Sequence, residues 1–347
     1  MAGAKSITIV GGGLAGLTLG IGLCRRGVPV TIWEAGHYPR HRVCGEFISG
    51  RGQAALARLG LREELAAAGA VPAQTVAFYS ATRATAPRSL PSPALCLSRF
   101  KLDVALAKIF RDLGGELFEG RRVSGDDLGE GQVRATGRRP EVEPGGARWF
   151  GLKLHARNVS LAADLEMHVS PRGYVGLCRL SDGEVNVCGL FRKGAGDDGG
   201  NLNSRDLLRG QPFSPLRERL AGAVFAAESF CAVAGLSLRP QQAAARAGLC
   251  LGDAITMIPP VTGNGMSMAF ESAEVAVTPL AAWSRGEASW IEARWKISRD
   301  CDSAFARRLV WAKWLQRLIL TPALQDPLVA LAGRSDGFWR MAFARTR

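Results

Sequence analysis

Hydrophobic positions change their period several times along the chain, and each change marks an element. Ser6-Ile7-Thr8-Ile9-Val10 is a short, nearly continuous apolar run of the kind buried in a parallel sheet, and Val28 to Trp33 repeats it. Leu14 to Arg25 between them has helical spacing, so the N-terminus reads as a βαβ unit. Gly50 to Ala68 has helical spacing with Gly69 as its stop, and Leu102 to Leu113 is helical up to Gly114-Gly115. The Pro-, Thr- and Ser-rich segment 71–98 reads as strands or loops of an inserted region, and 121–149 as short strands joined by polar turns. From Trp149 to Phe191 alternation predicts antiparallel strands with one wet face. A Gly-, Asp- and Asn-rich loop covers 193–204, helical spacing returns over 205–226, and a strand at Gly248 to Leu251 precedes a mostly helical remainder.

The expected fold is therefore α/β: a doubly wound, Rossmann-like nucleotide domain, an inserted antiparallel β-sheet substrate domain and C-terminal helices. The boundaries expected are 1–70, 99–148 and 240–290 for the discontinuous nucleotide domain, 71–98 and 149–239 for the substrate domain, and 291–347 for the helical region.

Chemistry enters first at Val10-Gly11-Gly12-Gly13-Leu14-Ala15-Gly16, a G-x-G-x-x-G turn between strand and helix. Gly11 permits the sharp turn, Gly13 admits a diphosphate to the backbone and Gly16 lets the helix pack, so phosphates meet the amides of Leu14 and Ala15 at the positive helix end. Glu34, followed by Ala35, closes the second strand and can accept ribose hydroxyls. A second stretch, Gly252-Asp253-Ala254, then Pro259-Pro260, then Gly263-Asn264-Gly265-Met266, again places a Gly-rich turn before a helix. FAD needs such a late motif, because its ribityl and ring portions extend beyond the first βαβ unit. Asp253 suits a ribityl hydroxyl, and the amides of Gly263 to Met266 suit negative charge on a reduced flavin.

With these two turns the chain resembles the flavoprotein superfamily of para-hydroxybenzoate hydroxylase and geranylgeranyl reductase. Tyr38-Pro39-Arg40-His41-Arg42-Val43-Cys44-Gly45-Glu46 is similar to the basic Cys-Gly loop of the reductase branch, which implies that Arg42 and Gly45 lie near the cofactor. Ser98-Arg99-Phe100-Lys101-Leu102-Asp103 is similar to the family's R-x-x-L-D helix start, which implies that Arg99 reaches the ribityl and diphosphate region; an ordinary helix cap with a solvated arginine is the other reading. By analogy Val123 offers its backbone to adenine. The resemblance implies FAD, NAD(P)H as reductant and an aromatic or lipophilic small-molecule substrate. The expected activity is hydroxylation of an aromatic or polyketide-like compound. The alternatives are reduction of carbon–carbon double bonds in an isoprenoid, and a redox-sensing flavoprotein at a membrane surface.

Departures from the family pattern qualify these implications. Ala135-Thr136-Gly137-Arg138-Arg139 lacks the acid of the hydroxylases' A-D-G motif. Gly173-Tyr174-Val175-Gly176-Leu177-Cys178-Arg179 carries neither the reductase nor the halogenase tryptophan motif, which argues against halogenation and weakens isoprenoid reduction. Cys44 is the candidate catalytic side chain, against the reading of a small buried thiol. His155 and His168 lie on alternating strands, facing substrate or satisfied within the structure.

Composition adds little. A net charge of +13 suits an anionic cofactor as well as a nucleic acid, and no aromatic–basic interleaving favours the latter. Eight cysteines without a C-x-x-C pair indicate neither zinc nor a disulfide framework but reduced, cytoplasmic thiols. The first strand begins too early to leave room for a signal peptide, and no segment reaches the roughly 18 apolar residues of a membrane span. Residues 307–320 form a basic amphipathic helix with two tryptophans, which either rests on an anionic membrane or packs on the nucleotide domain.

Overall fold

The computed structural model describes residues 4–123, 125, 128–138, 148–193 and 204–346. β1 (Ile7–Val10), α1 (Leu14–Cys24) and β2 (Val30–Trp33) form the expected βαβ unit. A loop leads to β3 (Phe47–Ile48), α2 (Arg51–Arg58) and α3 (Arg62–Ala67), then to the hairpin of β4 (Val71–Tyr79) and β5 (Arg88–Cys96). The chain returns through α4 (Arg99–Asp112), β6 (Glu116–Phe118) and β7 (Gln132–Arg134). It leaves again as β8 (Arg148–Arg157), β9 (Leu165–Ser170), β10 (Gly173–Arg179) and β11 (Val185–Lys193). Short α5 (Ser204–Arg209) and α6 (Pro215–Arg219) precede β12 (Val224–Leu236) and β13 (Leu249–Cys250). Four helices finish the chain: α7 (Gly265–Ser284), α8 (Trp290–Ile319), α9 (Pro322–Arg334) and α10 (Asp336–Thr346).

Two sheets result. A parallel sheet has the order β13-β7-β1-β2-β6, and an eight-stranded sheet has the order β12-β8-β11-β10-β9-β4-β5-β3. The second is antiparallel except where β4 pairs with β9 in parallel. Its two parts come from separate passes of the chain, so their meeting edge is free of the hairpin constraint that enforces antiparallel pairing. Helix α1 is buried from Leu14 to Leu23, which explains why its sequence is apolar on every side. At about 1.5–3 kcal/mol for each large aliphatic side chain removed from water, it anchors the core shared with α4 and α7.

Two local expectations are corrected. The stretch from Gly50 to Ala68 is two helices, because Gly60 takes φ +64° and the Leu61 amide bonds back to the Leu56 carbonyl, closing α2. The expected helix over 205–226 ends at Arg219, and residues from Val224 onward extend as β12 along β8. Alanine-rich propensity yields there to the ladder that β8 offers. Much of 121–149 lies outside the described residues; β7 is the one strand described within it before β8 begins at Arg148.

Candidate functional site

Both Gly-rich turns open onto one cavity of about 810 Å³ between the two sheets. Gly11 sits at φ +109° with the Ala135 carbonyl so close that a Cβ would lie 2.4 Å from its oxygen, so β1 can turn into α1 here only with glycine. Gly13 faces open space, and Gly16 packs against the Gly11 carbonyl. Neither α1 nor α7 has a side-chain cap at its N-terminus, and Gly13, Leu14 and Ala15 of one and Gly263, Gly265 and Met266 of the other line the cavity. Two positive helix ends therefore meet the same space. Gly263 takes φ +66°, and a Cβ there would lie 2.1 Å from the Phe47 ring.

Glu34 stands at the end of β2, buried, accepting the amides of Gly12 and Gly36 at 2.8 Å each, with Arg40 at 2.7 Å. Burial alone raises its pKa, but the Gly36 amide and the Arg40 and Arg42 guanidiniums hold the carboxyl below the usual range. Among the described residues, the oxygen that faces Gly12 accepts that one hydrogen bond, with Arg42 3.9 Å away. Ser98 does cap α4 through the Lys101 amide, but Arg99 is not a solvated arginine: it is buried, clamped on both Asp103 oxygens at 2.7 and 2.8 Å, and lines the cavity. Arg42 lies 3.5 Å from the same aspartate.

Ala35, Cys44, Gly45, Val123 and Asp253 also line the cavity, whereas Gly16, Gly252 and Asn264 do not. Gly252 turns the chain at φ +58° against Ala15, and Asn264 bonds the Thr346 carbonyl, tying α10 to the second turn. Asp253 hydrogen-bonds none of the described residues; burial raises its pKa and the Arg138 and Arg99 charges lower it. Thr136 stands in the place of the missing family acid, and Arg138, two residues on, reaches towards Asp253. Burial raises the Cys44 thiol, which favours a packing role over thiolate chemistry. His155 and His168 are buried and paired with Glu46 at 2.7 Å and Glu166 at 3.0 Å, and neither lines the cavity.

Sequence reasoning did not single out Arg40, Arg121 or Arg122, which join Arg42, Arg99 and Arg138 on the wall. The Arg121-Arg122 pair beside Val123 is the signal that was available. It also missed the C-terminal helices, whose Phe338, Trp339, Phe343 and Thr346 close one side of the cavity.

The residues fit FAD: an open glycine floor at two helix ends without side-chain caps, arginines for a diphosphate, a buried acid beside the first turn and a carboxylate that accepts from none of the described residues. Residues 4–146 match the family model described as FAD binding domain. In fold the chain is similar to the flavin-dependent brominase Bmp2, with TM-score 0.75 at 16% identity over 97% of this chain and 92% of that one. It is similar to PqsL from P. aeruginosa in complex with 2-aminobenzoylacetate, at 0.71 and 16% over 94% and 99%. A variant of the halogenase PltM in complex with FAD gives 0.71 at 16% over 98% and 85%. No curated protein sequence matches the chain significantly. The chain thus carries an FAD-binding domain over residues 4–146 and shares the fold of these flavin-dependent enzymes.

Proposed function

We propose that this flavoprotein is a monooxygenase that hydroxylates an aromatic or polyketide-like small molecule, with NAD(P)H as reductant. The observation that carries this reading is the continuity of the cavity. Beyond the flavin-binding turns it passes between the eight-stranded sheet and the C-terminal helices, walled by Phe78, Met167, Tyr174, Leu190 and Trp339. Such a wall takes a flat, apolar molecule with few polar groups. The fold neighbour PqsL is described in complex with 2-aminobenzoylacetate, an aromatic molecule.

When bound, FAD supplies the redox chemistry. The protein's part is to hold it through Glu34, the arginines and Asp253, to orient the substrate against the sheet and to exclude water. NADPH and NADH are offered to the FAD-loaded protein with a panel of aromatic acids and phenols in air. Oxygen uptake coupled to hydroxylated product is expected. Product formed equally well without oxygen would instead establish double-bond reduction.

A second reading concerns α8. Arg308 and Leu309 turn inward, while Arg307, Val310, Lys313, Trp314 and Arg317 form an outward stripe, with Val310 67% and Trp314 53% exposed. Among the described residues no helix is long and apolar enough to cross a membrane. Such a stripe binds an anionic surface through tryptophan insertion and charge. Flotation with phosphatidylserine vesicles is expected to carry the wild type, and Trp314→Glu to lose most of it; recovery of neither would exclude membrane contact.

A further inference from the structure

Five titratable side chains run in series from the cavity wall to the surface. His41 lines the cavity, and its Nδ1 accepts from Lys153 Nζ at 3.0 Å. Lys153 lies 3.4 Å from one oxygen of Glu46, whose other oxygen accepts His155 Nε2 at 2.7 Å. His155 Nδ1 is 3.7 Å from Glu184, which is partly exposed and pairs with Arg157 at 3.1 Å. Lys153 and Glu46 are wholly buried and His155 nearly so. Lys153 and His155 project from the same face of β8, two residues apart, and Glu46 is held at φ +60° by the loop after β2, with the Arg99 amide on its carboxylate at 2.8 Å.

Burying a lysine, a glutamate and a histidine together is costly, and apolar residues of similar volume serve stability as well or better. Glu46 lies on the cavity wall, but the cofactor does not explain Lys153 and His155, since neither touches the cavity. We propose that His41, Lys153, Glu46, His155 and Glu184 form a proton relay that delivers protons from solvent to the reacting end of the cavity.

This inference rests on the oxidoreductase reading, which creates the need for it. Hydroxylation follows NAD(P)H + H⁺ + O₂ + R–H → NAD(P)⁺ + R–OH + H₂O, and double-bond reduction likewise consumes a proton. That proton must reach the reacting atoms inside the cavity. His41 Nε2–H donates into the cavity while Nδ1 takes a proton from Lys153. Lys153 is restored through Glu46 from His155, and His155 from solvent at Glu184. Each N–H broken is matched by one formed, no charge is left behind, and the series resets when the His41 and His155 rings and the Glu46 carboxyl turn over.

The surroundings are compatible with this order. Burial, with the Lys153 and His155 charges, lowers the His41 pKa to about 4, so the ring is neutral and can accept at neutral pH. The other groups facing the series are Arg99 and Asp103 from α4, Arg42 and Cys44 from the same loop, Cys188 from β11 and Cys231 from β12. Burial raises all three thiols, Cys231 to about 11, so none competes as a base near neutrality.

The test uses the ends of the series, where substitution leaves the buried charges paired. FAD-loaded wild type, His41→Gln and Glu184→Gln are reduced with dithionite and mixed with air in weakly buffered phenol red, so that flavin reoxidation and proton uptake are read together. Roughly hundredfold slowing is expected in His41→Gln, the low end for losing a general acid, with recovery on adding imidazole. Glu184→Gln is expected to slow uptake less, mainly at alkaline pH. Wild-type rates in both variants, or a His41→Gln defect that imidazole leaves unchanged, would overturn the relay. Carbon-13 spectra of histidine-labelled apoprotein give a readout without flavin: Glu184→Gln should move the titration of His41, and an unmoved His41 counts against coupling. A wild type that binds flavin but shows no oxygen reactivity defeats the oxidoreductase reading instead, and the histidine titrations still decide the relay.

Discussion

Asp253→Ala is expected to yield a folded protein that loses most of its FAD on gel filtration, with affinity down by one to two orders of magnitude. A hydrogen bond to a charged acceptor contributes about 1.5–3 kcal/mol, and each 1.4 kcal/mol is about tenfold in binding. The apoprotein should keep its stability or gain some, because the carboxylate lines the cavity, bonds none of the described residues and has its pKa raised by burial. The pH dependence follows from the same shift. With a folded pKa above the unfolded value, Asp253 favours the folded apoprotein at low pH, and that contribution is lost as pH rises through the folded pKa. Flavin binding runs the other way, since a ribityl hydroxyl donates to the ionised form. Retention should therefore fall on acidification, beginning at a higher pH than a free aspartate with its ordinary value of 3.8 would give. Equilibrium dialysis of FAD against pH measures both effects, and full occupancy in the variant would reject the ribityl assignment.

The second large effect is expected at Arg308→Ala, which should cost about 3–5 kcal/mol of unfolding free energy by urea titration. Arg308 on α8 grips both oxygens of Glu271 on α7 at 2.8 Å, with both side chains buried, so its removal strands a carboxylate away from water. Replacing the pair together, Glu271→Leu with Arg308→Met, should recover most of the loss, because each partner's burial is costly only when the other is missing. A single variant no less stable than wild type would show that the contact does not hold α8 in place. Because α9 and α10 follow α8 and wall the cavity, loosening it should also weaken substrate binding before it weakens FAD binding.

The cofactor end of the site was legible because its chemistry is local. Gly11 and Gly263 occupy backbone conformations that few other residues adopt, and helix starts, strand ends and terminal acids lie within a few residues of one another. The substrate end was not legible. His155 read as an ordinary alternating-strand histidine, and nothing near it in sequence announces Glu46, 109 positions away. Arg308 counted towards a basic helix face until the packing of α8 on α7 turned it inward. Beyond Arg219, alanine-rich sequence scored as helix because the partner strand β8 lies some seventy positions upstream, about as far as local propensity is blind.

By itself, then, the sequence determined the βαβ unit, the two glycine turns, the acid that ends β2 and the FAD class, since each depends on backbone conformation and spacing within one short segment. Only the tertiary structure decided which side chains share the cavity, that the C-terminal helices wall it, and that a lysine, a glutamate and a histidine from two distant segments are buried in one line. Pairings of that kind are set by how sheets and helices stack, and the free energy that selects them resides in contacts between residues the chain keeps far apart.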